Sequence, residues 1–296
     1  MKTQFGYLKR PGRKGSKLFI GAELPDINAQ SKLPEYSGLL RSASWSTQIA
    51  TMAVSEAWQD AKLSSYQFNP ERIGIIVGGS NFQQRYQQQI WERYQSRPQF
   101  LRPTYGITLW DTDLMGLLSE CFQIQGEGYS VGGASASGAI SIIHAARQIQ
   151  MGITDISIAV APLFDISQWE CQGLMNLGAM GSERFSANPN LACRPFDKDH
   201  DGFIYGEGCG VVVLEKAAHA QQRGVTSYGE LIGWSHILDG ERSPKPSQKG
   251  EERAINAALN MAKLQPEQID YVNTHGTSSP MGDKTEVAAL KCVGLS

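Results

Sequence analysis

Cysteine is scarce in this chain of 296 residues: five are present, at positions 121, 171, 193, 209 and 292. No two stand in a CxxC pair and no histidine clusters with them, which argues against a zinc site and against any bound metal. An odd number, without a secretory leader, fits reduced thiols in a cytoplasmic protein. Charge is modest too. Charged residues make up 19% of the chain and the net charge is −2, so no field singles out nucleic acid as a partner. No run approaches the ~18 apolar residues that span a bilayer, so no membrane partner is expected. Short-period repeats and low-complexity segments are missing as well. The first 17 residues hold six Lys/Arg and no acid, but no apolar core follows them. They are not a signal peptide and read as a solvated tail or arm rather than a binding patch.

What is present is a pattern of alternating elements. With 41% apolar residues, the chain can bury a sizeable core as one large domain or two smaller ones. Residues 45–62 carry apolar side chains at helical spacing. "RIGIIVGGS" (72–80) reads as a buried strand ending in a glycine turn. Another short strand precedes "VGGASASG" (131–138), a helix follows over 138–152, and "DISIAVAP" (155–162) is again a strand. Strand, helix and strand within about 35 residues make a parallel βαβ unit. Further on, "GCGVVVLEKAAHAQQRG" reads as strand then helix. "YGELIGWSHI" is expected as a strand, "GEERAINAALNMAKL" as a helix and "IDYVNTHG" as a strand. Asp283 and Glu286 form a D-x-x-E capping box for the last helix. The whole is α/β, with layered sheets and helices and a seam near 222–226.

Several stretches could carry chemistry. "GASAS" (133–137) sets Ser135 between a strand and a helix among small residues, like a nucleophile elbow, although Ser137 stands where G-x-S-x-G requires glycine. A tight, close-packed turn without chemistry is the competing reading. "DKDHDG" (197–202) mimics a calcium loop but has Gly208 where the bidentate Glu belongs. "GEGCG" (206–210) precedes a strand instead of opening a helix, which argues against a nucleotide site. His275 ends an apolar strand and enters a glycine- and hydroxyl-rich loop, "NTHGTSSPMGD", where α/β sheets bind ligands. A structural histidine is the alternative. The order Ser135, acid at 197–201, His275 also suits a hydrolase triad.

Three long stretches, "YSVGGASASGAISIIHAARQIQMG", "CRPFDKDHDGFIYGEGCGVVVLEKA" and "IDYVNTHGTSSPMGDKTEVAALK", together resemble the β-ketoacyl synthases of fatty acid and polyketide synthesis. The resemblance runs from about residue 36 to the end. It implies a thiolase-like fold of two related halves, 1–222 and 223–296, usually as a homodimer. It implies that the first strand of the N-terminal half is missing and that the C-terminal half is incomplete. Family synthases hold a cysteine where this chain has Ser135. Their first catalytic histidine falls on His275, and hydroxyls that hold the phosphopantetheine arm fall on Thr277 and Ser279. "RPFDKDHDGF" matches a loop lining the cavity. The family's lysine and second catalytic histidine normally lie beyond Ser296.

Within that family, serine at the cysteine position resembles the stand-alone decarboxylases of β-branching cassettes. These turn malonyl- into acetyl-acyl carrier protein beside an HMG-CoA-synthase-like enzyme. The resemblance implies a lyase with no cofactor of its own, its substrate carried on the phosphopantetheine arm of an acyl carrier protein. Acyl transfer or condensation through Ser135 is one alternative. A non-catalytic partner of an active ketosynthase, like a chain-length factor, is another.

Overall fold

The computed structural model describes residues 5–13, 18–242 and 244–295. In chain order the main elements are β1 (Gly6–Tyr7), β2 (Ile20–Ala22), α1 (Trp45–Asp60), β3 (Ile73–Gly78), α2 (Thr112–Phe122), β4 (Gly128–Val131), α3 (Ser137–Gln150), β5 (Ile156–Ala161), β6 (Tyr205–Gly206), β7 (Gly210–Glu215), α4 (Ala217–Gln222), α5 (Gln248–Ala262) and α6 (Pro280–Val293). Two compact units emerge, and neither is contiguous in sequence. One gathers 1–23, 168–206 and 231–296; the other gathers 24–167 and 207–230.

The second unit is built on a four-stranded sheet of order β4-β3-β5-β7. β4, β3 and β5 run parallel and β7 is antiparallel to β5. The expected βαβ unit is present, but α3 carries the chain across β3, so β4 and β5 flank β3 instead of pairing with each other. Alternation along β3 sorts its side chains. Ile73, Ile75 and Val77 join a core with Ala50 and Val54 of α1 and Leu114 and Leu118 of α2. Ile76 packs with Ala159 and Ala145 of α3. Each such buried Val or Ile contributes about 1.5–3 kcal/mol. The α3 side of β3 also holds Gly74 and Gly78. A Cβ on Gly78 would lie 2.2 Å from the Ser137 carbonyl, and one on Gly74 2.7 Å from Gln148 Oε1. Only glycine lets the first turn of α3 sit directly on the strand end.

The first unit holds a small sheet of order β1-β2-β6, antiparallel then parallel. The described part of the N-terminal segment is not a solvated tail, contrary to the sequence expectation; residues 1–4 and 14–17 lie outside the described residues. Leu8 and Arg13 are fully buried. Glu23 explains the difference. Its carboxylate accepts the backbone N–H groups of Lys9 and Arg10 and pairs with Arg13 at 2.8 Å. The Arg13 guanidinium lies over the Tyr205 ring and donates to its hydroxyl. A run of like charge was read as solvated, but its buried member Arg13 has a carboxylate and an aromatic face to meet.

Two expected strands need correction. "YGELIGWSHI" and "IDYVNTHG" form no ladder with any strand among the described residues. Period-2 alternation describes a chain that could pair, and a strand exists only where a neighbour supplies hydrogen bonds. The first stretch leans instead on α5. Ser235 Oγ donates to the Ala254 carbonyl at 2.7 Å, and Gly233 approaches the Ala258 carbonyl closely. In the second stretch Tyr271 stays 78% exposed. No helix among the described residues is long and apolar enough to cross a membrane.

Candidate functional site

β3, β4 and β5 end together, and the loops that follow them frame Ser135. Ser135 is exposed in a 3₁₀ turn, Ala134–Ala136, between β4 and α3. Ala134, the residue before it, holds φ at 48°, a left-handed conformation that costs about 1 kcal/mol or more for a residue with a Cβ. Ser137 stabilises the turn: its Oγ accepts from Gly133 N–H at 2.9 Å and donates to the Ala134 carbonyl at 2.8 Å. The serine that breaks the G-x-S-x-G pattern is thus the tie that shapes the elbow. Ser135 makes no hydrogen bond to a histidine or carboxylate among the described residues. The positive end of α3 lies next to it.

His275, Thr277 and Ser279 lie on one loop in the other unit, ahead of α6. His275 is exposed, and only its backbone is clamped. Glu286, almost two turns into α6, takes the His275 N–H at 2.6 Å on one carboxylate oxygen and the Gly276 N–H at 2.9 Å on the other. His275, Gly276, Thr277 and Glu286 line one cavity of about 260 Å³ together with Glu251 and Asp283. Ser279 does not line it. Its hydroxyl caps α6 by accepting from Gly282 N–H, and Pro280 occupies the first helical position. That overturns the capping box read from Asp283 and Glu286. The helix starts four residues earlier than the sequence suggested, because a Ser-Pro pair outranks D-x-x-E as a start signal.

Asp283, freed from capping, reaches into the "RPFDKDHDGF" loop. It is 2% exposed, accepts from Phe196 N–H at 2.7 Å and faces His200 Nδ1 at 3.1 Å. Ser278 fastens the same loop, taking Arg194 N–H on its hydroxyl and Gly202 N–H on its carbonyl. Phe196 and Ser278 both hold positive φ, at 62° and 70°. The Phe196 ring would touch a Cβ on Gly276 at 3.0 Å, so this glycine admits the ring beside the His275 loop. The acids of the calcium-like stretch are used locally: Asp197 by Arg194 and the Asp199 N–H, Asp199 by Arg184, and Asp201 by Ser182. Arg194 beside Asp197 holds that carboxyl below the usual carboxylate range. Sequence reasoning singled out neither Asp283 nor Glu286 as a site residue. Their only signal was a carboxylate on the first turns of a helix that follows a histidine loop.

Comparison with known proteins bears on the family and the fold. Residues 38–220 match the model for the beta-ketoacyl synthase N-terminal domain, and residues 228–295 match the C-terminal domain of the same name. The chain is similar to the polyketide biosynthesis malonyl-ACP decarboxylase PksF of Bacillus subtilis (strain 168), with 46% identity over 292 residues, or 99% of this chain and 69% of that protein. It is 35% identical to the mitochondrial 3-oxoacyl-[acyl-carrier-protein] synthase of Arabidopsis thaliana, over 82% of this chain and 54% of that one. It therefore spans between about half and 69% of the length of these relatives. A beta-ketoacyl synthase from Burkholderia phymatum STM815 superposes with a TM-score of 0.80 at 28% identity, over 93% of this chain and 67% of that one. The ishigamide ketosynthase/chain length factor, at 24% identity and a TM-score of 0.79, shares the fold. The architecture is the thiolase-like α/β arrangement that the motifs implied.

Proposed function

The chain belongs to the beta-ketoacyl synthase family, and from that premise we propose that it decarboxylates malonyl-acyl carrier protein to acetyl-acyl carrier protein without condensing it onto a second acyl chain. One observation carries this reading. The chain keeps the histidine loop, clamped by Glu286 so that His275 and Thr277 share a cavity, while its elbow presents Ser135. The 46% identity to a malonyl-ACP decarboxylase supports it.

The chemistry separates into two requirements. Condensation holds an acyl group on a nucleophile, and a thiol supplies thiolate near neutral pH when a helix terminus lowers its pKa. A serine hydroxyl is far less acidic and needs a positioned base. Decarboxylation asks for something else. As the bond to the carboxylate breaks, its electron pair moves toward the thioester and charge gathers on the thioester oxygen. Hydrogen-bond donors aimed at that oxygen lower the barrier. A neutral imidazole at position 275 donates from one ring nitrogen. Thr277 would hold the phosphopantetheine arm. The hydroxyl of Ser279 caps a helix as an acceptor, and its own proton stays available for the arm. Ser135 fills the place of the nucleophile.

We read 1–222 and 223–296 as the two family halves, the soluble enzyme as a cytoplasmic homodimer, and the partner supplying and receiving substrate as an acyl carrier protein. An HMG-CoA-synthase-like enzyme would use the acetyl product in β-branching. The protein is tested with malonyl-carrier protein. Release of carbon dioxide with formation of acetyl-carrier protein, and no acyl mass added to the protein, is the expected result. A stable acyl adduct on Ser135 without acetyl-carrier protein would sink it.

A further inference from the structure

Decarboxylation is complete only when the carbon that lost CO₂ has gained a proton. A condensing enzyme uses that carbon as a nucleophile and needs no proton there. A decarboxylase needs a donor, and His275, hydrogen-bonded to the thioester oxygen, points to the wrong end of the enolate. An acid group facing the same space would supply that proton directly.

The cavity beside His275 and Thr277 offers three carboxyl groups: Glu251 on α5, and Asp283 and Glu286 on α6. Two are committed. Asp283 holds Phe196 N–H and faces His200, and Glu286 holds the His275 and Gly276 N–H groups. The carboxyl of Glu251 makes no hydrogen bond or ion pair among the described residues. At about 260 Å³ the cavity has room for a malonyl-sized group rather than a lone water, whose share of the liquid is roughly 30 Å³.

Resting on the decarboxylase reading, we infer that Glu251 is a catalytic residue, the general acid that protonates the enolate carbon. The step balances. The C–C bond to the carboxylate breaks and CO₂ leaves. Its electron pair becomes the enolate, which collapses onto carbon as that carbon takes the proton of the Glu251 carboxyl. The methyl group of acetyl results, and the Glu251 carboxylate takes a proton back from solvent. The surroundings favour this use. Partial burial and the negative Glu286 raise the Glu251 pKa, so the carboxyl keeps its proton to higher pH than an exposed glutamate. The titratable groups that share the cavity are Glu286 and Asp283 on α6 and His275 on the preceding loop.

The experiment measures carbon dioxide release and acetyl-carrier protein formation from malonyl-carrier protein, across pH, for the wild-type protein, E251Q and E251D. E251Q is expected to lower kcat by ~10²-fold with KM unchanged, as for loss of a general acid. The wild-type rate should fall as pH rises through the Glu251 titration, and that fall should vanish in E251Q. E251D, which retains a carboxyl, should recover part of the rate with a displaced pH profile. A wild-type kcat in E251Q, or a lower kcat with the wild-type pH profile, overturns the inference. If E251Q melts below the assay temperature, E251D decides: a displaced profile supports Glu251, a superimposable one overturns it. If the wild-type protein makes no acetyl-carrier protein at all, the decarboxylase reading has failed first. Full wild-type activity with an unaffected E251Q removes Glu251 alone.

Discussion

The two residues at the centre of the proposal have opposite chemistry. Ser135 is exposed on a strained turn that Ser137 ties together, and His275 is exposed on a loop held by its backbone. If His275 stabilises the developing charge, His275→Ala should lower decarboxylation by ~10²–10³, the usual loss for one oxyanion donor. Ser135→Ala should cost much less, because no bond to Ser135 forms. Steady-state rates on malonyl-carrier protein compare the two; an unchanged rate in the histidine variant removes it from the mechanism. Glu286 acts one step back. Its two oxygens receive two N–H groups, so Glu286→Gln puts an amide NH₂ against one of them and breaks half of the clamp. The expected signature is a fall in kcat of about tenfold or more, with melting temperature almost unchanged, since a misplaced group loses rate well before the fold is lost. A large drop in melting temperature with kcat intact would mark Glu286 as structural. Ser135, His275, Thr277 and Ser279 could be proposed from the sequence because those types stand in a quotable motif. Glu286 and Asp283 were misread as a cap. A carboxylate early in a helix looks the same in sequence whether it turns back on its own helix or out to a neighbouring loop.

Among the elements, those with a continuous apolar run or a clear 3.6 period were read nearly to the residue: β3, β5, α1 and α3 all fall within a residue or two of their expected bounds. Their burial is decided by their own side chains. The segments around 228–237 and 269–276 show the limit, because strand pairing depends on a partner that local alternation does not name. The extended core also relies on a tie invisible in periodicity. Arg85 and Asp165 meet at 2.7 Å in a buried ion pair, with Asp165 fully covered. The same loop adds a backbone bond from Arg85 N–H to the Asp165 carbonyl. This pair holds the segment after β5 to the segment after β3, the ground on which the elbow stands. Asp165→Ala removes the carboxylate from this buried pair and should destabilise by about 3–5 kcal/mol. Denaturant unfolding checks it: the midpoint should drop with the slope unchanged. A shift under about 1 kcal/mol, the value for a surface pair, would show that water reaches the site.

At the scale of the molecule, the residues named in the proposal fall in two compact units, Ser135 in one and His275, Thr277 and Glu251 in the other. Each unit collects distant stretches of chain, so sequence halves and compact units are different partitions, and only the first can be read from motif order. The cysteines report on both units. Cys121 and Cys209 lie in the Ser135 unit and Cys171 in the His275 unit. Burial pushes all three thiols up, to about 11 for Cys121 and about 12 for Cys209 and Cys171. Cys193 and Cys292 are exposed. The thiolate is the reactive form, so iodoacetamide on the folded protein should label Cys193 first, Cys292 more slowly because its hydrogen bond to Glu252 raises its pKa, and spare the other three. In rising denaturant, the three protected thiols become reactive as their surroundings open. Cys121 and Cys209 share one unit and should become reactive together by mass spectrometry. Cys171 should follow the stability of its own unit. Separate labelling of Cys121 and Cys209 would mean that the sheet and helices packed around β3 do not open as one body, and that the elbow can loosen while the rest of its unit holds.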